Sequence, residues 1–214
     1  MSGSDDRGQK RRMVVGITGA SGIVYGIRLL ELLRDCGMES HLVMSRAAQT
    51  TLAYETSFKV AEVEALATVT YPINDIGAAC SSGSFKTMGM IVAPCSIKTV
   101  SEIATGTTNN LISRSADVAL KERRRVVLLL RETPLHLGHI RSLAAVTEAG
   151  AIVCPPVPAF YARPQNLSDM IEHTLGRVLD LFDIDIGTLR RWTGEKTRGG
   201  KEGAKMHRVE TGEI

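Results

Sequence analysis

A chain of 214 residues, 43% of them hydrophobic and with a formal net charge of +3, is long enough to remove roughly 70% of its extended-chain surface from water in one domain, without disulfides or a structural metal. Its basic residues are spread among acidic ones instead of being collected with aromatics, which disfavours a nucleic-acid binder. No stretch approaches the roughly 18 consecutive apolar residues of a membrane span, and the polar start "MSGSDDRGQKRR" lacks the apolar core of a signal peptide.

Short apolar runs alternate with segments of helical period. A strand is predicted at "MVVGI" (13–17), followed by a helix over 22–34 that places Ile23, Ile27, Leu30 and Leu33 near one face. Further strands are predicted at "HLVMS" (41–45), "MGMIVAP" (88–94), "RVVLLL" (125–130) and "AIVCPP" (151–156), with helices over 110–124, 137–148 and 168–182. This alternation predicts an α/β fold, a single-domain doubly wound parallel sheet, in which ligands sit in the loops beyond the carboxyl ends of the strands. Residues 1–12 and 193–214 are rich in glycine and charge, so a mobile N-terminal segment and a polar tail are expected to flank one domain over 13–192. The cysteines Cys36, Cys80, Cys95 and Cys154 form no C-x-x-C pair. Neither a zinc site nor a disulfide framework is expected, and a reducing cytoplasm is the expected setting.

The loop in "VGITGASGIVYG" (15–26) runs from a strand into a helix, where unpaired N–H groups and the positive end of the helix dipole suit a phosphate. Its spacing, Gly16-x-x-Gly19-x-x-Gly22, matches neither the dinucleotide fingerprint nor the P-loop. The competing reading is that these glycines only allow a tight turn and close helix packing. A second strand-to-helix turn, "APCSIKTVSEIATG" (93–106), begins its helix with Ser96, Lys98 and Thr99. Two such helix starts suggest one phosphorylated ligand between them. Cys95 reads as a free buried cysteine in preference to a nucleophile, since no base is placed to activate it.

In "KERRRVVLLLRETPLHLGHIRSL" (121–143), Arg131 and Glu132 leave a strand end. The arginine offers a planar fork for a phosphate, and the carboxylate can orient that fork or move a proton; a structural ion pair is the alternative. The run from Lys121 to Arg125 reads as a solvated helix end, although one member can reach a neighbouring subunit. His136 and His139 have metal-like spacing without a third ligand, so capping or packing is expected of them.

Taken together, "GITGASGIVYGIRLLELLRD", "HLVMSRAAQTTL", "SSGSFKTMGMIVAPCSIKT", "ADVALKERRRVVLLLRETPLHLGHIRSL" and "PPVPAFYARPQNLSDMIEHTLGRVLD" closely resemble the flavin prenyltransferase family, UbiX and its Pad-type relatives, over about residues 13–192. The resemblance implies a flavodoxin-like, Rossmann-like three-layer sandwich. It also implies an enzyme that joins a dimethylallyl group from dimethylallyl phosphate to N5 and then C6 of reduced FMN, making the prenylated FMN of UbiD-type decarboxylases. It assigns the FMN site to Gly19, Ala20, Ser21, Ser45, Ser96, Ile97, Lys98, Thr99 and Arg131. Tyr161, Arg177 and Arg131 would hold the prenyl phosphate, with Arg114 and Lys121 reaching in from an adjoining subunit of a homo-oligomer, commonly a dodecamer. Without the resemblance, Tyr161 reads as part of a proline-bounded turn and Arg177 as an outward helix arginine.

On this reading the cations and the Tyr161 hydroxyl stabilise the leaving phosphate, Trp192 offers an aromatic face to the prenyl cation, and Glu132 with Ser21 moves protons. Because a monophosphate is cradled by protein cations, no metal is required. Neither nucleic acid nor membrane is an expected partner. Two rivals remain. One is a flavin-dependent cysteine decarboxylase, whose P-x-M-N-x-x-M-W motif is replaced here by "PAFYARPQ". The other is an FMN carrier or accessory subunit of an aromatic acid decarboxylase.

Overall fold

Strands buried on both faces have no polar side to present, so they read as nearly continuous apolar runs. The computed structural model, which describes residues 11–189, has six strands in one parallel sheet of order β3-β2-β1-β4-β5-β6, the central four nearly all buried and the two edge strands half-buried. In chain order the elements are β1 (Arg12–Ile17), α1 (Ile23–Asp35), β2 (Glu39–Met44), α2 (Arg46–Glu55), α3 (Val60–Glu64), β3 (Val69–Tyr71), β4 (Gly89–Cys95), α4 (Ile97–Ala104), α5 (Leu111–Lys121), β5 (Arg125–Leu130), α6 (Leu137–Glu148), β6 (Ile152–Val153) and α7 (Leu167–Asp180). Short 3-10 turns occupy Ala79–Ser81 and Phe160–Ala162.

The alternation of strand side chains feeds two cores. Met13, Val15 and Ile17 pack with Ile23 and Leu30 of α1 and with Leu175 of α7. Val14, Met90 and Leu128 face the other way, onto Val100 of α4 and Leu111 and Ile112 of α5. The doubly wound sheet is therefore as expected, and its order reverses between β1 and β4. Gly26 lets α1 lie against that crossing: a Cβ there would stand 2.5 Å from the Ala93 carbonyl oxygen. The packing reading of the glycines thus holds at Gly26.

Three departures from the sequence reading have physical causes. The strand expected over 151–156 is only Ile152–Val153, because Pro155 and Pro156 offer no N–H to a ladder. Helices α2 and α3 and strand β3 were not anticipated. Arg124, expected in a solvated run, is instead built in: it donates to the carbonyls of Gly83 (2.6 Å) and Phe85 (2.7 Å). Of the head expected over 1–12, Arg12 already belongs to β1, while residues 1–10, the expected tail and Trp192 lie outside the described residues.

Away from the strand carboxyl ends lies a buried polar group. His41 is only 2% exposed. Its Nε2 faces Glu39 Oε1 (3.1 Å) and its Nδ1 the Tyr71 hydroxyl (2.9 Å), while Phe85 packs edge-on. A carboxylate only accepts, so the proton sits on Nε2 and Tyr71 donates to Nδ1. Burial pushes the imidazole below its ordinary 6.5; Glu39 opposes this and Arg12 adds to it. The unfolded chain therefore takes up this proton first as pH falls, and His41's contribution is complete above about 6.5 and lost below it. Urea midpoints measured from about pH 7.5 down to about pH 5.5, above the carboxylate range, are expected to fall, and the slope to flatten in His41→Gln.

Candidate active site

The functional region lies where β1, β2, β4 and β5 deliver their carboxyl ends to helix starts. Ser45 caps α2 by accepting the Ala48 N–H (3.1 Å), and Ser96 caps α4 by accepting that of Thr99 (3.4 Å). The first-turn N–H groups ahead of these caps have no acceptor within the helix. Both starts open on one cleft of 580 Å³, walled also by Thr18, Lys98, Asn110 and Glu132. A second cleft of 480 Å³ holds Ala20, Ser21, Arg131 and Thr133 against Pro155 and Pro156. Gly19, Ser96 and Glu132 belong to both, so the two are halves of one site. Each lies within the roughly 300–1,000 Å³ of small-molecule sites.

The first helix start is not available in the way the glycine loop suggests. Gly22, at φ 101°, brings no side chain to cap α1. The carboxylate of Glu55, at the far end of α2, fills the position: it accepts from the N–H groups of Gly22 (2.9 Å) and Ile23 (2.9 Å). Burial raises its pKa, but the Ile23 N–H, the Ser21 hydroxyl, the Gly22 N–H and the Arg131 charge together bring it below the ordinary carboxylate value. An internal anion therefore takes the role expected of a ligand phosphate at α1, and the starts of α2 and α4 are the ones open to the cleft. Sequence reading missed Glu55; the one local signal was a helix start with a glycine where a cap belongs.

Arg131 donates from Nε to the Ser21 carbonyl (3.0 Å), while Glu132 accepts the Thr133 N–H (3.0 Å). The two side chains thus look to different neighbours, and the carboxylate whose charge bears on Arg131 is that of Glu55. Tyr25, in the first turn of α1, lies near Arg131 and Thr174 of α7; burial raises its phenol pKa against the pull of Arg131. It was not anticipated from sequence.

Through this contact α7 joins the site. Arg177 pairs with Asp180 (2.9 Å), and its charge acts on the Cys154 thiol, whose pKa burial raises. Cys154 directly precedes the prolines of the second cleft. Tyr161, in the 3-10 turn, meets His173, one turn before Arg177 on the same helix face (Oη to Nε2 3.3 Å). Tyr161 and Arg177, 16 positions apart in the chain, are thereby brought to one side of α7, but neither lines the two clefts.

Other candidates stand apart. Lys121 pairs with Glu122 (2.7 Å) and Arg114 with Asp117 (2.9 Å), both on α5 or its end and outside the lining of the two clefts. Lys98 walls the first cleft but reaches out to Glu102 at 3.6 Å, with its side chain 81% exposed. Cys95 is fully buried and its thiol pKa is raised by that burial, which fits a packed cysteine. His136 caps α6 through Nδ1, with His139 stacked on it at 3.6 Å. Among the described residues, no group of three or more His, Cys, Asp or Glu is placed to hold a metal ion, and no helix is long and apolar enough to cross a membrane.

Comparison with known proteins gives consistent results. The Flavoprotein family profile matches residues 1–178. A flavin prenyltransferase UbiX of Escherichia coli K12 is 56% identical over 187 residues, covering 86% of this chain and 99% of that protein. The crystal structure of AnUbiX (PadA1) in complex with FMN and dimethylallyl pyrophosphate superposes with a TM-score of 0.86 at 51% identity, over 88% of this chain and all of the other. The dodecameric FMN-dependent UbiX-like decarboxylase of E. coli O157:H7 gives a TM-score of 0.83 at 44% identity, over 86% of this chain and all of the other.

The Glu55 cap predicts a measurable cost. Glu55→Ala leaves two backbone donors without their carboxylate and is expected to lower unfolding free energy by roughly 0.5–1.5 kcal/mol, discounted for exposure. Because the folded-state pKa is depressed, this contribution is present above the ordinary value of 4.5 and lost as pH falls through the lower folded pKa. Chemical denaturation of wild type and variant at neutral and acidic pH checks both: the difference should shrink in acid.

Proposed function

The chain belongs to the flavin prenyltransferase family, and from that premise we propose that it joins the dimethylallyl group of dimethylallyl phosphate to reduced FMN, with the prenylated product passing to a UbiD-type decarboxylase. The observation that carries this reading is the joined cleft, whose lining brings together two open helix starts, several serine and threonine hydroxyls, Arg131 and Glu132. Such a donor set fits a flavin monophosphate: helix-start N–H groups and serine and threonine hydroxyls suit phosphate and ribityl oxygens.

In this assignment Gly19, Ala20, Ser21, Ser45, Ser96, Ile97, Lys98, Thr99 and Arg131 hold FMN. When bound in its reduced form, FMN supplies the N5 and C6 positions to which the prenyl carbons are joined. The chain's own residues do the rest. Arg131, Arg177 and the Tyr161 hydroxyl take up the charge that grows on the leaving phosphate. Glu132, with Ser21, moves the proton that ring closure requires, and Glu55 holds the Ser21 hydroxyl in place. Trp192, outside the described residues, is assigned the aromatic face for the prenyl cation.

Lys121 and Arg114 enter as residues of an adjoining subunit. Two features support assembly. Helix α6 contributes only Val146 as a buried residue, and Leu137 and Ile140 on it are 62% and 47% exposed. Apolar surface of this kind marks association sites. The relative with the dodecameric structure is similar over nearly its whole length, and a dodecamer is the assembly proposed. The cysteine decarboxylase reading is disfavoured because "PAFYARPQ" replaces that group's late-loop motif.

Anaerobic incubation of the protein with reduced FMN and dimethylallyl phosphate is expected to give a flavin heavier by one prenyl unit on mass analysis. Each charge-assisted hydrogen bond contributes about 1.5–3 kcal/mol, so Arg177→Ala should lower kcat/KM for the prenyl phosphate by roughly 10- to 150-fold. Glu132→Gln should bind FMN and leave it unmodified or incompletely closed. Recovery of bound, unaltered FMN from wild type would favour the carrier instead.

Sharing of the site between subunits has its own test. Lys121→Ala and Arg177→Ala subunits, each nearly inactive alone, are expected to regain activity when co-assembled, because some junctions then combine an intact Arg177 with a neighbour's intact Lys121. Mixed oligomers that stay inactive would argue for sites built from one chain.

A further inference from the structure

The proposed FMN contacts leave one charged group in the wall of the first cleft without a role. Glu102 of α4 lines that cleft together with Asn109 and Asn110, although the helix starts that open on it favour an anion. Its side chain is only 13% exposed, and the carboxylate is held from two sides. Oε2 accepts from Asn110 Nδ2 (3.1 Å), and Oε1 lies 3.6 Å from Lys98 Nζ. Asn110 is itself fixed. Its Oδ1 caps α5 by accepting the Ser113 N–H (3.0 Å), which turns Nδ2 toward Glu102 and the Asn109 side chain (3.0 Å).

We propose that Glu102 is a positioning residue for the flavin phosphate: it holds the Lys98 ammonium at the mouth of the first cleft, where that cation meets the phosphate. The inference rests on the reading of Lys98 as an FMN contact.

Helix stability does not account for the pair. A cation in the first turn opposes the helix dipole, and a lysine followed four residues later by a glutamate is the less stabilising order of such pairs. Lys98 is the second residue of α4, so both disadvantages apply. Packing does not hold the lysine either: its side chain is 81% exposed, and Glu102 is its one charged partner among the described residues. What the pair achieves is local order. A free lysine loses rotamer freedom when it closes on a ligand, and that loss weakens binding. An ammonium has three protons, so pairing with Glu102 still leaves protons for phosphate oxygens. Glu102 lies one turn further from the helix start than Lys98 does, so the cation is the nearer of the two charges to an anion bound there.

Fluorescence titration of the intact protein with oxidised FMN, and with riboflavin, which lacks the phosphate, tests this separately from turnover. Glu102→Gln is expected to raise the Kd for FMN roughly 3- to 10-fold and to leave that for riboflavin unchanged. A carboxylate that only repelled the ligand would give the opposite sign. In a Lys98→Met background Glu102→Gln should cause no further loss, since it acts through the ammonium. FMN binding that is tighter or unaltered in Glu102→Gln, an equal loss for riboflavin, or an additive loss in the Lys98→Met background would overturn the proposal. If Lys98→Met weakens FMN but not riboflavin while Glu102→Gln weakens neither, this inference alone fails. If Lys98→Met leaves the ratio of the two affinities unchanged, the reading of Lys98 fails and takes the Glu102 role with it.

Discussion

One buried hydroxyl holds the site together. Thr18, 2% exposed, sits where the strand order reverses between β1 and β4. Its oxygen donates to the Pro94 carbonyl (2.8 Å) and accepts the Ser96 N–H (2.8 Å), and its own N–H also reaches Pro94 (3.2 Å). At a reversal the two adjacent loops run to opposite faces of the sheet and leave a crevice between them. Nothing in the strand ladder fixes the width of that crevice; the Thr18 bonds do. They tie the glycine loop to the residue that caps α4, so the donors of β1 and β4 stand in one geometry before any ligand arrives. A buried, fully paired hydroxyl stabilises, whereas an unpaired one costs about 1–3 kcal/mol, which makes the linkage close to obligatory once Thr18 is buried there.

The same economy governs charge. Three helix starts converge on the site, and each concentrates positive potential at its N-terminus. Glu55 neutralises the one at α1 and, from the same position, bears on Ser21 and Arg131. The open starts of α2 and α4 then define where a ligand anion gains most. A carboxylate built into one of three equivalent places gives the site a direction: open helix starts at one end, and at the other Arg131, Glu132 and the prolines of the second cleft.

What the sequence made legible follows from the range of each interaction. The long strands and α1, α5, α6 and α7 show periodicity within a single window, and each occurs within a few residues of its expected bounds. Strand β3 is three half-buried residues with no pattern to detect. Helix α2 buries only Ala48 and Leu52, so its apolar stripe is too thin to stand out in "RAAQTTLAYE". Missing α2 hid Glu55, whose role depends on the chain returning its carboxylate to Gly22 across a separation of 33 positions. The helix-start residues Ser96 and Thr99 were visible because capping is local, whereas Ser45, at the start of the missed α2, came only with the family resemblance. Tyr25, Thr18 and His173 were not, because their partners are set by how α1, β4, α7 and the late turn pack.

The two sides of the site are held by different forces, and this bears on turnover. The side at the β1–β4 crossing is anchored by α1, with seven buried residues, and by the Thr18 bonds. The side carrying Tyr161 is held by surface hydrogen bonds and a histidine contact, each worth at most about 1 kcal/mol net. Local opening therefore costs far less at the turn than at the crossing. A flavin must stay in register while the bond to it forms, so it gains from the rigid side. The phosphate must be gripped in the transition state and then let go, and a grip so firm that phosphate could not leave would slow turnover. On the proposed assignment of Tyr161, placing a phosphate contact on the weakly held side reconciles the two demands within one small domain.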